Sequence, residues 1–249
     1  MTQTLASKLD KALPALRSET VAAPDARRIV QEAGVSGDEA LRPQLRALAG
    51  SIRADTNRSV IYDALHGLWR LGEDPAFFLE SAENHAANKW LAYYSILMLG
   101  RDPSDAHVAA RLDEIAAQTT DNQIRGAIAQ YGRSRYLRQR YARFTKLTSK
   151  VDFILNHFQG YWNPVLFEAG TDLSSDMPEA AWLEQELRAL SQDAPEEVAR
   201  LIHEADMSDL CPDPEMKSAW CTHMASLLAP EAGAALRARV ATEDGGDDV

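Results

Sequence analysis

Three stretches of this chain close in a similar way. Trp69-Arg-Leu-Gly72, Leu97-Met-Leu-Gly100 and Ala129-Gln-Tyr-Gly132 stand at intervals of 28 and 32 residues. After the first two, the chain restarts with Asp74-Pro75 and Asp102-Pro103. Each interval has room for two helices of about 10–15 residues and two short turns. A glycine after the last apolar residue supplies a left-handed cap, and Asp-Pro then opens the next helix in a new direction. A single helix pair cannot bury both of its apolar faces, so units of this kind stack.

The rest of the chain has the same period. Apolar residues recur three and four apart, and no Asn-Gly or Asp-Gly stands between apolar runs to mark a hairpin. Leu5, Leu9, Leu13 and Leu16 predict a helix over Thr4–Arg17, and a second covers Asp25–Ala33 and stops at Gly34. Ser36-Gly-Asp-Glu39 has the form of a capping box, which starts a third helix near Gly37 bearing Leu41, Leu45, Leu48 and Ile52. Pro43 suits its first turn. Thr120-Asp-Asn-Gln123 has the same box form. Four more helices are expected near Glu179–Ser191, Pro195–Ala205, Asp213–Leu228 and Pro230–Ala241. The expected fold is all-α, with about eleven helices in a right-handed stack of antiparallel pairs, an α-solenoid. An N-terminal stack over 1–132 is followed by a helical part over 133–249, the two forming one continuous body.

Residues 57–132 resemble the short, bacterial type of HEAT repeat. The second helix of such a repeat carries an Arg near its start, a small residue at its middle and a Leu-Gly-like end. Arg58, Ala64 and Leu71-Gly72 match this pattern, as do Lys89, Ala92 and Leu99-Gly100. Arg125, Ala127 and Gly132 match in the third unit, where Tyr131 replaces the Leu. The resemblance implies helical stacking, and with it a large curved surface.

The segment after Gly132 breaks the rhythm. Leu137, Tyr141, Phe144, Thr148, Val151, Leu155 and Phe158 alternate steps of four and three, which predicts one long helix over Arg133–Phe158. Its front part is basic without an acid between Arg133 and Lys150. Arg135, Arg143, Lys146 and Lys150 fall opposite the apolar stripe, and Arg138 and Arg140 flank it.

Charge is divided along the chain. The whole carries −11, yet residues 1–150 hold 21 Lys and Arg against 17 Asp and Glu, whereas residues 151–249 hold 5 against 20. An acidic surface of this kind repels nucleic acid and draws basic partners. Candidate binding residues are the acids Asp172, Asp176, Glu179, Glu184, Glu186, Glu196 and Glu197, with Tyr161 and Trp162 on the connection over 159–175. Tyr and Trp dominate binding hot spots. The same rings also suit a plug between helical layers, and the acids also suit an internal match to the basic segment.

No catalytic pattern is visible. P-loop, GxGxxG, HExxH, GxSxG and paired CxxC are all missing. His66, His85, His107, His157, His203 and His223 are widely spaced. Cys211, Cys221, His203 and His223 have the residue types for zinc, but Cys221 and His223, two apart, point to different sides of a helix. Neither metal nor cofactor is expected. The longest apolar runs, Trp90–Gly100 and Val151–Phe158, fall well short of the ~20 residues that span a bilayer. The N-terminus lacks the apolar core of a secretory signal. The expectation is a cytoplasmic, non-enzymatic module that binds a basic protein, in the manner of an adaptor or of an immunity protein against a basic toxin. The alternative is nucleic-acid binding of the kind used by HEAT-like repair glycosylases, through Arg135, Arg138, Arg140, Arg143, Lys146 and Lys150. A lyase acting on a bound pigment or metabolite has only the fold resemblance behind it.

Overall fold

A computed structural model describes residues 4–17, 24–52, 58–159, 178–205 and 214–244. Every regular element among them is helical, and no strand occurs. Thirteen α-helices lie among the described residues, against about eleven expected for the chain. They are α1 (Leu5–Arg17), α2 (Pro24–Val35), α3 (Arg42–Ser51), α4 (Arg58–Arg70), α5 (Pro75–Glu83), α6 (Lys89–Leu99) and α7 (Ala106–Gln118). Then follow α8 (Asn122–Tyr141), α9 (Leu147–Gln159), α10 (Pro178–Asp193), α11 (Pro195–His203), α12 (Pro214–Leu227) and α13 (Pro230–Asp244). A short 3-10 turn, Glu39–Leu41, precedes α3. The chain forms two compact units, Met1–Arg135 and Tyr136–Val249, whose boundary falls inside α8.

In the first unit, α1 packs on α2, α3 on α4 and α5 on α6. Helices two apart also touch: α1 with α3, α2 with α4, α4 with α6, and α5 with α7. Leu9, Val30, Leu45, Leu65, Phe78, Ile96, Leu112 and Ile124 form part of its buried core. Each such side chain contributes about 1.5–3 kcal/mol by leaving water. Helices α2 and α4 meet through glycine. A Cβ built on Gly34 would lie 2.6 Å from the Gly67 Cα, and one built on Gly67 2.8 Å from the Gly34 Cα. Gly34 therefore does not stop α2, which continues to Val35; it lets two backbones approach. The left-handed turn that follows belongs to Gly37, at φ 72°.

The three similar endings turn out to be three different structures. Gly72 is left-handed, at φ 71°, as expected of a cap. Gly100 is right-handed, at φ −66° and ψ −14°. Gly132 lies within α8 and ends nothing. Asp74-Pro75 does open α5, with the Asp74 carboxylate accepting from the Ala76 N–H at 2.8 Å. Asp102-Pro103 does not open α7: Asp105 does, accepting from the N–H groups of His107 and Val108. Neither box residue, Ser36 or Thr120, is a cap. Asp38 caps the 3-10 turn before α3, accepting from Ala40 N–H at 3.0 Å, and Asp121 caps α8, accepting from Gln123 N–H at 2.8 Å. A short carboxylate satisfies the open N–H groups of a first turn and also meets their positive dipole.

Polar groups tie separate helices of this unit together. Asn88 caps α6 through its side-chain oxygen and donates its amide to the Ile52 carbonyl at 2.9 Å. Arg27 of α2 pairs with the buried Asp63 of α4, and Gln31 donates to the same carboxylate at 3.2 Å. Arg46 of α3 grips Glu73 with two N–H groups. Burial by itself would raise the Glu73 carboxyl; the Arg46 bonds, the Asp74 N–H and the nearby Arg42 outweigh it and hold the carboxyl below its ordinary range.

The second unit has its own core, with Trp182 and Trp220 each 1% exposed among Leu183, Leu187, Val198, Ile202 and Met224. The apolar stripe from Leu137 to Phe158 is carried by two helices, not by one long helix. α8 ends at Tyr141 in tightened bonds, with the Arg143 N–H donating to Arg140 and the Phe144 N–H to Tyr141, and α9 starts at Leu147. The reason lies in the rings. Phe144 and Phe153 have centroids 5.5 Å apart, and Tyr141 and Phe153 5.8 Å. On a straight helix, residues nine apart are separated by about 13 Å along the axis. Breaking the helix lets both halves of the stripe bury against the same core. Elsewhere, Ser191 of α10 accepts from the Ala229 N–H at 2.9 Å and so satisfies the chain just before α13.

Candidate functional site

The face that combines the most recognition chemistry lies on α4 and α6, in the first unit. On α4, Arg58, Tyr62, His66 and Trp69 follow at four, four and three residues, which sets them in one stripe. On α6, Lys89 and Tyr93, and Trp90 and Tyr94, are each four apart. The two helices pack together, so the stripes adjoin: Tyr62 meets Tyr94 edge to face at 5.5 Å. Trp90 stacks on Tyr94 at 6.1 Å and meets Tyr93 at 5.7 Å, while His66 stacks on Trp69 at 6.0 Å. Tyr62, His66, Trp69, Tyr93 and Tyr94 are only half-buried.

Cations complete this face. The Arg101 guanidinium lies 4.9 Å from the Trp69 centroid and donates to the Tyr62 hydroxyl at 3.4 Å. Arg58 and Lys89 lie 4.8 and 4.7 Å from the centroid of one ring, Trp90. Neither forms an ion pair among the described residues. The sole acid of α4 and α6 is Asp63, which is buried against Arg27. In a chain of net charge −11, these two helices carry Arg58, Arg70 and Lys89 against Asp63 alone.

The residues expected to bind are distributed differently. Tyr161, Trp162, Asp172 and Asp176 lie outside the described residues, as does Cys211. Glu179 is 2% exposed, which makes it a buried residue rather than a contact. Glu184 and Glu186 are half-buried, and the Glu186 carboxylate lies near the Tyr141 hydroxyl without reaching bonding geometry. Burial, with that carboxylate behind it, pushes the Tyr141 phenol up. Glu196 on α11 accepts from Arg239 of α13 at 3.2 Å. Glu197 accepts two bonds from Arg200, at 3.0 and 2.7 Å, and these hold its carboxyl below the ordinary range. Arg200 also grips Glu204.

Of the basic set, Arg140, Arg143 and Lys146 are exposed around the end of α8 and the start of α9. Arg135, Arg138 and Lys150 are half-buried, with Arg138 5.9 Å from the Trp182 centroid and Lys150 5.5 Å from that of Tyr141. Tyr136, one turn before Arg140, is 61% exposed. Tyr141 is buried and Phe144 half-buried against the core, so neither is presented to a partner.

In the sequence Trp69 belongs to a helix ending and Trp90–Gly100 is an apolar run, so neither marks the α4–α6 face. The signal was present in the four-residue spacings 58–62–66 and 89–93, 90–94. Among the described residues, no group of three His, Cys, Asp or Glu side chains could hold a metal ion. No helix among them is long and apolar enough to cross a membrane. No family model, curated protein or solved structure matches the chain.

Proposed function

We propose that this chain is a protein-binding module whose first unit is a HEAT-like stack of helix pairs. The half-exposed aromatic and cationic face of α4 and α6 carries the reading. Tyr, Trp and Arg are the residue types that dominate binding energy at interfaces, and here they are clustered on two adjoining helices. Contacts between helices two apart in sequence, α2 with α4 and α4 with α6, support the stacked arrangement. The test is chemical cross-linking in a native host extract with the full chain and with Tyr93→Glu. A specific protein captured by the wild type and lost with Tyr93→Glu is the expected result. Capture unchanged by the substitution would place the binding surface elsewhere.

A basic partner, such as a toxin held by an immunity protein, would engage the second unit instead, where exposed Glu204, Glu215 and Glu231 add to the acidic field. The nucleic-acid reading has one observation in its favour: exposed Tyr136 stands beside exposed Arg140, Arg143 and Lys146. A salt titration with a short duplex separates the two. Binding at about 50 mM salt that weakens steeply as salt is raised supports nucleic acid, because phosphate contacts release counterions.

A further inference from the structure

We infer that the α4–α6 face docks an acidic segment of a partner polypeptide, its carboxylates bridging Arg58 and Lys89 across Trp90. This rests on the protein-binding reading above and adds the partner's chemistry to it. The geometry around Trp90 carries the argument. Two cations converge on one ring, at 4.8 and 4.7 Å from its centroid, and therefore within about 10 Å of each other. Neither has a carboxylate of its own among the described residues. Like charges so placed repel, and an anion shared between them turns that repulsion into attraction. Tyr93, in ring contact with Trp90, adds a half-exposed phenol that can donate to the same anion. On the two helices themselves no acid competes: Asp63, the sole one, is buried against Arg27 and Gln31.

The same geometry favours a polypeptide over a nucleic acid. Single strands bind by stacking bases on free aromatic faces. Trp90 already carries two cations and a stacked Tyr94, and Trp69 carries Arg101 and His66. Arg58, Lys89 and the Tyr93 hydroxyl are N–H and O–H donors, which suit carboxylates.

The experiment measures binding of a fluorescein-labelled glutamate oligomer to the full chain by anisotropy at about 50 mM salt. A thymidine oligonucleotide of matched length is measured beside it. Saturable binding of the glutamate oligomer is expected, weakened about tenfold or more by Arg58→Glu with Lys89→Glu. The milder pair Arg58→Gln with Lys89→Gln weakens it less, and Arg58→Lys leaves it near the wild-type level. Circular dichroism melts verify that each variant is folded. No saturable binding of the glutamate oligomer overturns the inference, as does binding that both paired variants leave unchanged. Tighter binding of the oligonucleotide overturns it in favour of a nucleic-acid surface. If the glutamate oligomer fails while Tyr93→Glu still abolishes partner capture, the acidic segment is wrong and the protein-binding reading stands.

Discussion

The two units use aromatic rings in opposite ways. In the second, Trp182 and Trp220 are enclosed, and Tyr141 meets Trp182 edge to face at 5.9 Å inside the core. In the first, Phe78, Trp90 and Tyr131 are enclosed as well, but Tyr62, Trp69, Tyr93 and Tyr94 sit half-buried on two adjoining helices, over a mostly aliphatic core. Their ion pairs, by contrast, are of the same kinds. Both units join separate helices, Arg27 with Asp63 and Arg46 with Glu73 in the first and Arg239 with Glu196 in the second. Both also hold pairs within one helix, Arg111 with Glu114 in the first and Arg200 with Glu197 and Glu204 in the second. Rings that fill a core are committed to stability; rings left at a surface remain available for recognition. On the proposed reading the first unit carries recognition, whereas the enclosed aromatics of the second serve packing.

Replacing a tryptophan in each unit tests this most strongly. Trp182→Ala is expected to cost about 3–5 kcal/mol, the range for emptying an enclosed indole site. Trp69→Ala is expected to cost about 1–2 kcal/mol, because part of that residue is already in water. Hydrogen exchange resolved along the chain reads the two units separately; equal losses would break the distinction. The glycine contact ranks next. Gly67→Ala sets a Cβ against the Gly34 backbone, which cannot yield as a side chain would, and a loss of about 2–3 kcal/mol in the first unit is expected. An unchanged melting temperature would show that α2 and α4 do not approach so closely.

Arg46→Ala should cost about 2 kcal/mol, since it strands the buried Glu73 carboxylate while Arg46 itself is partly in water. The pH dependence has a definite sign. The Glu73 carboxyl is held low in the folded chain, so its contribution is complete above its ordinary value of 4.5 and is lost as pH falls through the folded value. Without Arg46, burial raises that carboxyl instead. The gap between wild type and variant should therefore narrow on acidification, which urea midpoints at several pH values would show. The smallest effect expected is a gain: a Cβ at Gly126, inside α8, meets nothing within 4 Å. Gly126→Ala should stabilise by about 0.5–1 kcal/mol, opposite in sign to Gly67→Ala.

Local signals along the chain are enough to make its described residues helical and to place most of the helices. Three-and-four periodicity, proline at the first positions of α5, α11 and α13, and short acidic caps are local signals, each set within one turn of chain. The four C-terminal helices needed nothing else. Tertiary structure decided the rest, because the deciding contacts join residues far apart in sequence. Gly34 reads as a terminator until Gly67 is seen against it. The stripe from Leu137 to Phe158 reads as one helix until Phe153 is placed beside Phe144. Glu179 reads as a surface acid until its burial is seen. The aromatic face needed two helices side by side, and spacing along one of them could not say which neighbour would bring Lys89 and Arg58 to the same ring.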